Sequence, residues 1–371
     1  MNLMNAAWGQ RWREVPLRSL INSLWGLLLG LILSLGLCVW AGENPWHIFR
    51  LLVTSSFGSI DDFALSAFYA SSLMFTGLAV ALSFRAGLFN IGAEGQLLAG
   101  SIASTVVALA TSVGAAPEVT PWSLAAFLLS FATAALAGGF WGLVPALLKA
   151  YRGGHEVIVT MMMNFIAAGI VSYVVVGPFH SHISQSPETT SVPAVFQFSS
   201  WDPIHHLAPQ SPLNISILVA IGLCLLCEWM FRKTQMGFEW RAIGLNPSAA
   251  EWNAISRTRY ILVPMTASGA VAGLVALNEI FGSAGNFRLG FSADYGFVGI
   301  AVALLARNNP IAIIPSALLF GALQKGAADL DLETQLIGRD FARVIQAVVV
   351  LSVIACSALP RLKVRWSHAG N

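Results

Sequence analysis

The residues best suited to chemistry stand where an apolar chain is interrupted. Between two long hydrophobic runs, Phe84 to Gln96 reads FRAGLFNIGAEGQ and sets Arg85, Asn90, Glu94 and Gln96 among Gly87, Gly92 and Gly95. Polar groups and glycines in so apolar a setting are costly unless they line a cavity or are buried against other helices. Two readings stay open: a broken or re-entrant element on a translocation path, or a tight cytoplasmic turn in which Glu94 pairs with Arg85. On the first reading, Phe89 offers stacking and Asn90 hydrogen bonding to a passing solute. A second stretch, EVIVTMMMNF from Glu156 to Phe165, sets Thr160 and Asn164 one helical turn apart beside three adaptable methionines. The candidate path residues are therefore Phe89, Asn90, Glu94, Gln96 and Asn164.

Catalytic constellations are thin. No GxxxxGK[ST] phosphate cradle is present, and the one lysine that precedes a Ser or Thr, Lys233, follows Arg232 where the motif needs glycine. GxSxG and HExxH are missing too. Cys224 and Cys227 form a CxxC inside an apolar run, which suits packing better than redox or zinc chemistry, and no disulfide is expected. His180, His182, His205 and His206 share a segment with no cysteine or paired carboxylate, so no metal is expected there. Asp329, Asp331 and Glu333 read as a solvated acidic cluster. The chain reads as a conduit without an engine.

The elements that must position these groups follow from composition. Hydrophobic residues make up 56% of the 371-residue chain, charged residues 10%, and mean hydropathy is +0.70, which describes an integral membrane protein. A net charge of +2 with scattered basic residues argues against a nucleic-acid partner. Apolar runs at 20–41, 64–84, 93–113, 122–148, 157–177, 213–231, 260–281, 293–306, 310–324 and 341–359 predict about ten transmembrane helices in one all-α, polytopic domain covering 1–371. An even number puts both termini on one side. Assigning that side to the cytoplasm places there the segment 1–19, the tail 360–371, the loop 232–259 and most of the twenty Lys and Arg.

That loop carries Arg232, Lys233, Arg241, Arg257 and Arg259. Within it, Asn246 followed by Pro247 is a strong helix start, because the amide side chain caps free N–H groups and proline suits the first helical position. SAAEWNAIS then predicts a short helix over 247–255 with Ala249, Trp252 and Ile255 on one face.

GLFNIGAEGQLLAG at 87–100, EVIVTMMMNFIA at 156–167, GFEWRAIGLNPSAAEWNAI at 237–255, and GIAVALLARNNP followed by ALLFGAL at 299–323 resemble the permease subunits of bacterial ABC importers for nucleosides and related purine or sugar compounds. That group is similar to the larger ribose and branched-chain amino-acid permease superfamily. The resemblance implies a type II importer fold in the bacterial inner membrane and a solute path through it. It implies that the 247–255 helix is a coupling helix seated on a separate ATP-binding subunit, with Gly244, Asn246, Pro247, Ala249, Ala250, Trp252 and Ile255 at the contact. ATP and magnesium would then belong to that subunit, and this chain would bind no cofactor. A second homologous permease, making a heterodimer, and an extracytoplasmic solute-binding protein complete the expected assembly.

Two rivals are distinct in kind. In a secondary transporter driven by an ion gradient, Glu94 or Glu279 would hold the ion. In a membrane enzyme, His155 and Glu156 or the external histidines would act as acid and base.

Overall fold

The computed structural model describes residues 17–40, 42–111, 121–181, 183, 185–198, 202, 204, 208, 210–292, 294–333, 343–345, 347–349, 351–352 and 355–356. The helices are α1 (Leu17–Trp40), α2 (Pro45–Phe57), α3 (Ile60–Arg85), α4 (Ala93–Thr111), α5 (Pro121–Arg152) and α6 (Glu156–Val176). They continue with α7 (Ser216–Lys233), α8 (Gln235–Leu245), α9 (Pro247–Trp252), α10 (Arg259–Gly273), a π-helical segment (Leu277–Ala284), α11 (Tyr295–Leu305) and α12 (Pro310–Glu333). No strand longer than an isolated bridge occurs among the described residues.

Six stretches are long and apolar enough to cross a membrane: Ile60–Arg85, Ala93–Thr111, Leu128–Arg152, Glu156–Val176, Arg259–Ala284 and Pro310–Leu330. They coincide with six of the ten apolar runs. At the run 213–231, α7 is shortened as an apolar element by Glu228, Arg232 and Lys233. At 293–306, α11 has only 11 residues. The first run falls on α1, of 24 residues, and much of the last run, with the segment 1–16 and the tail 360–371, lies outside the described residues.

The chain divides into two compact units. In the unit of residues 1–55 and 326–371, Cys38, Ile48, Leu51, Leu330 and Ile345 form the core, with Leu52 against it. In the unit of residues 56–325, α3 is the axis: 89% of its apolar window is buried, against 22% for α6. A helix apolar all round has to be covered all round, and α3 is. It opens on a Ser59 cap, whose hydroxyl oxygen accepts the Asp62 amide at 3.1 Å, with Asp61 and Asp62 in the first turn. It closes on Gly87 at φ +75°, with the Leu88 amide reaching the Ser83 carbonyl. Glycines also let α5 and α10 touch backbone to backbone: a side chain on Gly138 would collide with Gly269, and one on Gly142 with the Met265 carbonyl.

Several expectations need correction. The loop 232–259 is mostly helical, since α8 occupies Gln235–Leu245 before the short helix begins. The short helix itself stops at Trp252: Ala254 has φ 60°, and the amides of Ala254 and Ile255 turn back to Glu251 and Ala250. Ile255 therefore leaves the face it was expected to share with Ala249 and Trp252. Glu94 does not pair with Arg85, because the turn between α3 and α4 sends the two side chains to different neighbours. On the far side of α6, Glu188 pairs with Arg288 at 3.1 Å and the Thr189 amide donates to the Phe287 carbonyl, tying 177–215 to 285–292. His182, His205 and His206 lie outside the described residues.

Candidate functional site: a buried polar turn and a displayed helix

The turn 86–92 is held from two sides. Asn90 is fully buried; its amide nitrogen donates to Ser268 Oγ at 2.7 Å and to Gln96 Oε1 at 3.0 Å. Its carbonyl oxygen accepts from the Gly92 amide and from Gln96 Nε2. Ser268 in turn donates to the Ala79 carbonyl of α3 at 2.6 Å. From α6, Thr160 and Asn164 clamp the same turn, as their spacing on one face requires. Asn164 accepts the Gly95 amide at 2.8 Å and donates to the Ile91 carbonyl at 3.0 Å, while Thr160 Oγ1 accepts the Ile91 amide. Every hydrogen-bonding atom of the Asn90 side chain is thus used, as buried polar groups require.

Glu94 points away from this knot. It accepts from the Ser292 hydroxyl and, at 2.8 Å, from the Gly296 amide in the first turn of α11. Phe89 alone among the candidate path residues is exposed, at 55%, with its ring 5.1 Å from that of Phe84. The structure therefore brings Asn90, Gln96 and Asn164 around one turn, directs Glu94 to another element and leaves Phe89 outside both.

A second polar knot was only partly legible, through Glu279. In the π-helical segment, Asn278 donates to Ser72 Oγ and the Phe68 carbonyl of α3 and accepts from Ser216 of α7 and from Asn214. Ser72 donates to Glu279 at 2.6 Å, and Tyr295 also hydrogen-bonds Glu279. The extra residue that a π-helical turn accommodates puts Asn278 and Glu279 side by side toward α3, and such turns gather at functional sites. No spacing rule in the sequence announces them.

At one end of the unit, α8 and α9 share one residue. Asn246 ends α8, its amide reaching the Ala242 carbonyl, and caps α9, its side-chain oxygen accepting the Ala249 amide at 3.1 Å. Of the predicted contact residues, Asn246, Pro247, Ala249 and Trp252 are exposed, Gly244 and Ile255 half-buried, and Ala250 turned inward. Trp252 is 91% exposed and Leu245 76%, an apolar display in a short basic segment. Arg257 flanks it, 3.7 Å from Glu251. Behind α9 lies a cavity of about 170 Å³ lined by Gly87, Lys149, Glu156, Gly244, Pro247 and Arg257 among others, with Lys149 and Glu156 paired at 2.8 Å. On α8, the Tyr260 hydroxyl and the Gln235 amide hold the Glu239 carboxyl below its ordinary range.

This geometry offers two hydrogen-bonded polar knots, a strongly buried central helix and one helix presented outward. Residues 63–354 match the family described as branched-chain amino acid transport system / permease component. The nucleoside ABC transporter permease protein NupB of Lactococcus lactis is 34% identical, over 90% of this chain and 89% of its own. The guanosine ABC transporter permease protein NupP of Bacillus subtilis is 32% identical, over 92% of this chain and 95% of its own. The glucose ABC transporter permease protein of Haloferax volcanii is 32% identical, over 81% and 79%. All three are named as permease components of transporters, and with the matched length and these identities the chain belongs to the branched-chain amino acid transport system permease family.

Proposed function

We propose that this permease forms the translocation path for a nucleoside or a related purine or sugar solute, in an importer driven by a separate ATP-binding subunit that seats on α9. The observation that carries the reading is α9 itself: a side-chain-capped helix, fixed to α8 by a shared residue, that leaves Trp252 almost wholly exposed. Large aromatic side chains displayed in this way are typical anchors of protein interfaces. The solute class rests on the two relatives named for nucleoside and guanosine. Phe89, exposed on the turn 86–92, is the aromatic side chain that would stack on a base. A second, homologous permease and a solute-binding protein on the face bearing 177–215 complete the assembly, with both termini cytoplasmic and the complex in the bacterial inner membrane.

The test is co-purification of the full chain from membranes with its ATP-binding subunit and second permease, then reconstitution in liposomes. ATP hydrolysis stimulated by a nucleoside-loaded binding protein, with uptake of labelled nucleoside, is the expected result. Solute movement by the chain alone down an ion gradient, with no ATPase attached, would overturn it.

A further inference from the structure

The last carbonyls of an α-helix have no donor within it. In α3 these belong to Leu82, Ser83, Phe84 and Arg85, at the end nearest the displayed helix. Ser83 and Phe84 are satisfied locally, by the amides of Ala86, Leu88 and Gly87. Leu82 is satisfied from elsewhere: its carbonyl accepts the Trp240 Nε1–H of α8 at 3.0 Å, across 158 residues of sequence. The Arg85 carbonyl faces Gly244, also on α8, where any Cβ would overlap it.

Side chains reinforce the joint. Trp240 is buried, with its ring edge-on to Phe231 at 5.6 Å. The Arg85 guanidinium lies 4.4 Å over the same Phe231 ring, and its Nε donates to the Asn308 carbonyl at 2.7 Å. Helix α8 therefore supplies part of the C-terminal cap of α3, and through Asn246 it is continuous with α9. No flexible linker separates the displayed helix from the central one.

We infer that Trp240 and Gly244 are positioning residues that pass movement of α9 directly into α3, so that α3, α8 and α9 shift as one body during transport. This rests on the reading of α9 as the ATPase contact. The element that receives the movement is the one on which the interior hangs: Ser268 of α10 bonds its Ala79 carbonyl, and Glu279 of the π-helical segment accepts from its Ser72. Movement delivered to α3 would reach both polar knots at once.

The experiment compares Trp240→Phe, which keeps a ring against Phe231 but removes the N–H, with Gly244→Ala, in the full complex with its ATPase and binding protein in liposomes. For Trp240→Phe, complex yield and basal ATP hydrolysis should stay within a factor of two of the parent, because the outer face of α9 is untouched; no such expectation attaches to Gly244→Ala, whose methyl group meets the Arg85 carbonyl. Stimulation of hydrolysis by loaded binding protein, and solute uptake, should fall about tenfold or more. Parent-level uptake and stimulation in Trp240→Phe would overturn the inference. So would losses in uptake that merely follow losses in complex yield or thermal stability, which would make the joint ordinary packing. If Gly244→Ala does not accumulate, Trp240→Phe decides. Trp252→Asp, run alongside, separates the two claims: if it leaves the complex intact, the reading of α9 fails, whatever Trp240→Phe does.

Discussion

The turn at 86–92 and the helix at Pro247–Trp252 solve opposite problems within the same unit. In the turn, Asn90, Gln96, Thr160 and Asn164 spend their donors and acceptors on one another and on backbone, leaving little with which to grip a solute. In α9, the backbone is capped and Glu251 is paired, while the side chains of Ala249 and Trp252 are offered outward. The contrast teaches that polarity inside a membrane sequence marks stability as readily as passage. It also shows that an exposed apolar side chain in a basic segment is the stronger sign of a partner.

The comparison can be broken most forcefully at α9. Trp252→Asp, or Ala249→Asp, should weaken assembly with the ATP-binding subunit by roughly 3 kcal/mol, on the order of 100-fold, since an unpaired charge cannot be desolvated at an interface. The protein should remain folded in the membrane, and pull-down from membranes with quantified ATPase would show it. In the turn the expected effect is smaller and of the other kind. Asn90→Ala strands Ser268 and Gln96 partners in a buried site and should cost about 1–3 kcal/mol of stability, read as a lowered melting temperature in detergent. An unchanged melting temperature with impaired uptake would instead make Asn90 a solute contact. The smallest effect belongs to the cap: Asn246→Ala should remove about 1 kcal/mol of helix stability. It should reduce stimulated hydrolysis a few-fold, with complex formation largely kept.

How far the sequence carried the site depends on distance along the chain. Asn246 before Pro247 is a local signal, and the cap forms where that signal puts it. The pairing of Thr160 with Asn164 is local too, and both do act from one face, but their target lies 69 residues or more away and no periodicity names it. The extent of α9 was overestimated because helical spacing continues through Ile255, while the chain reverses at Ala254. Helix α8 was hidden because QMGFEWRAIGL mixes glycines and charges, and its stability comes from Thr234 capping Gly237 and from Trp240 buried against α3. The supposed pair of Arg85 and Glu94 failed for a geometric reason: the turn at Gly87 separates them, and each finds a nearer neighbour.

The π-helical segment Leu277–Ala284 carries one further meaning. In such a segment each amide reaches one carbonyl further back than in an α-helix, so the stretch holds a surplus residue relative to ordinary winding. Taking that residue out of the helix, or passing it along, turns everything beyond by about 100°, the arc of one residue at 3.6 per turn. What lies beyond is the stretch 285–292, bonded to residues 187–192, and then Tyr295 and Gly296 at the start of α11. The second polar knot thus sits on a stretch whose winding differs from its neighbours by one whole residue, a difference in rotation that comes in no smaller step.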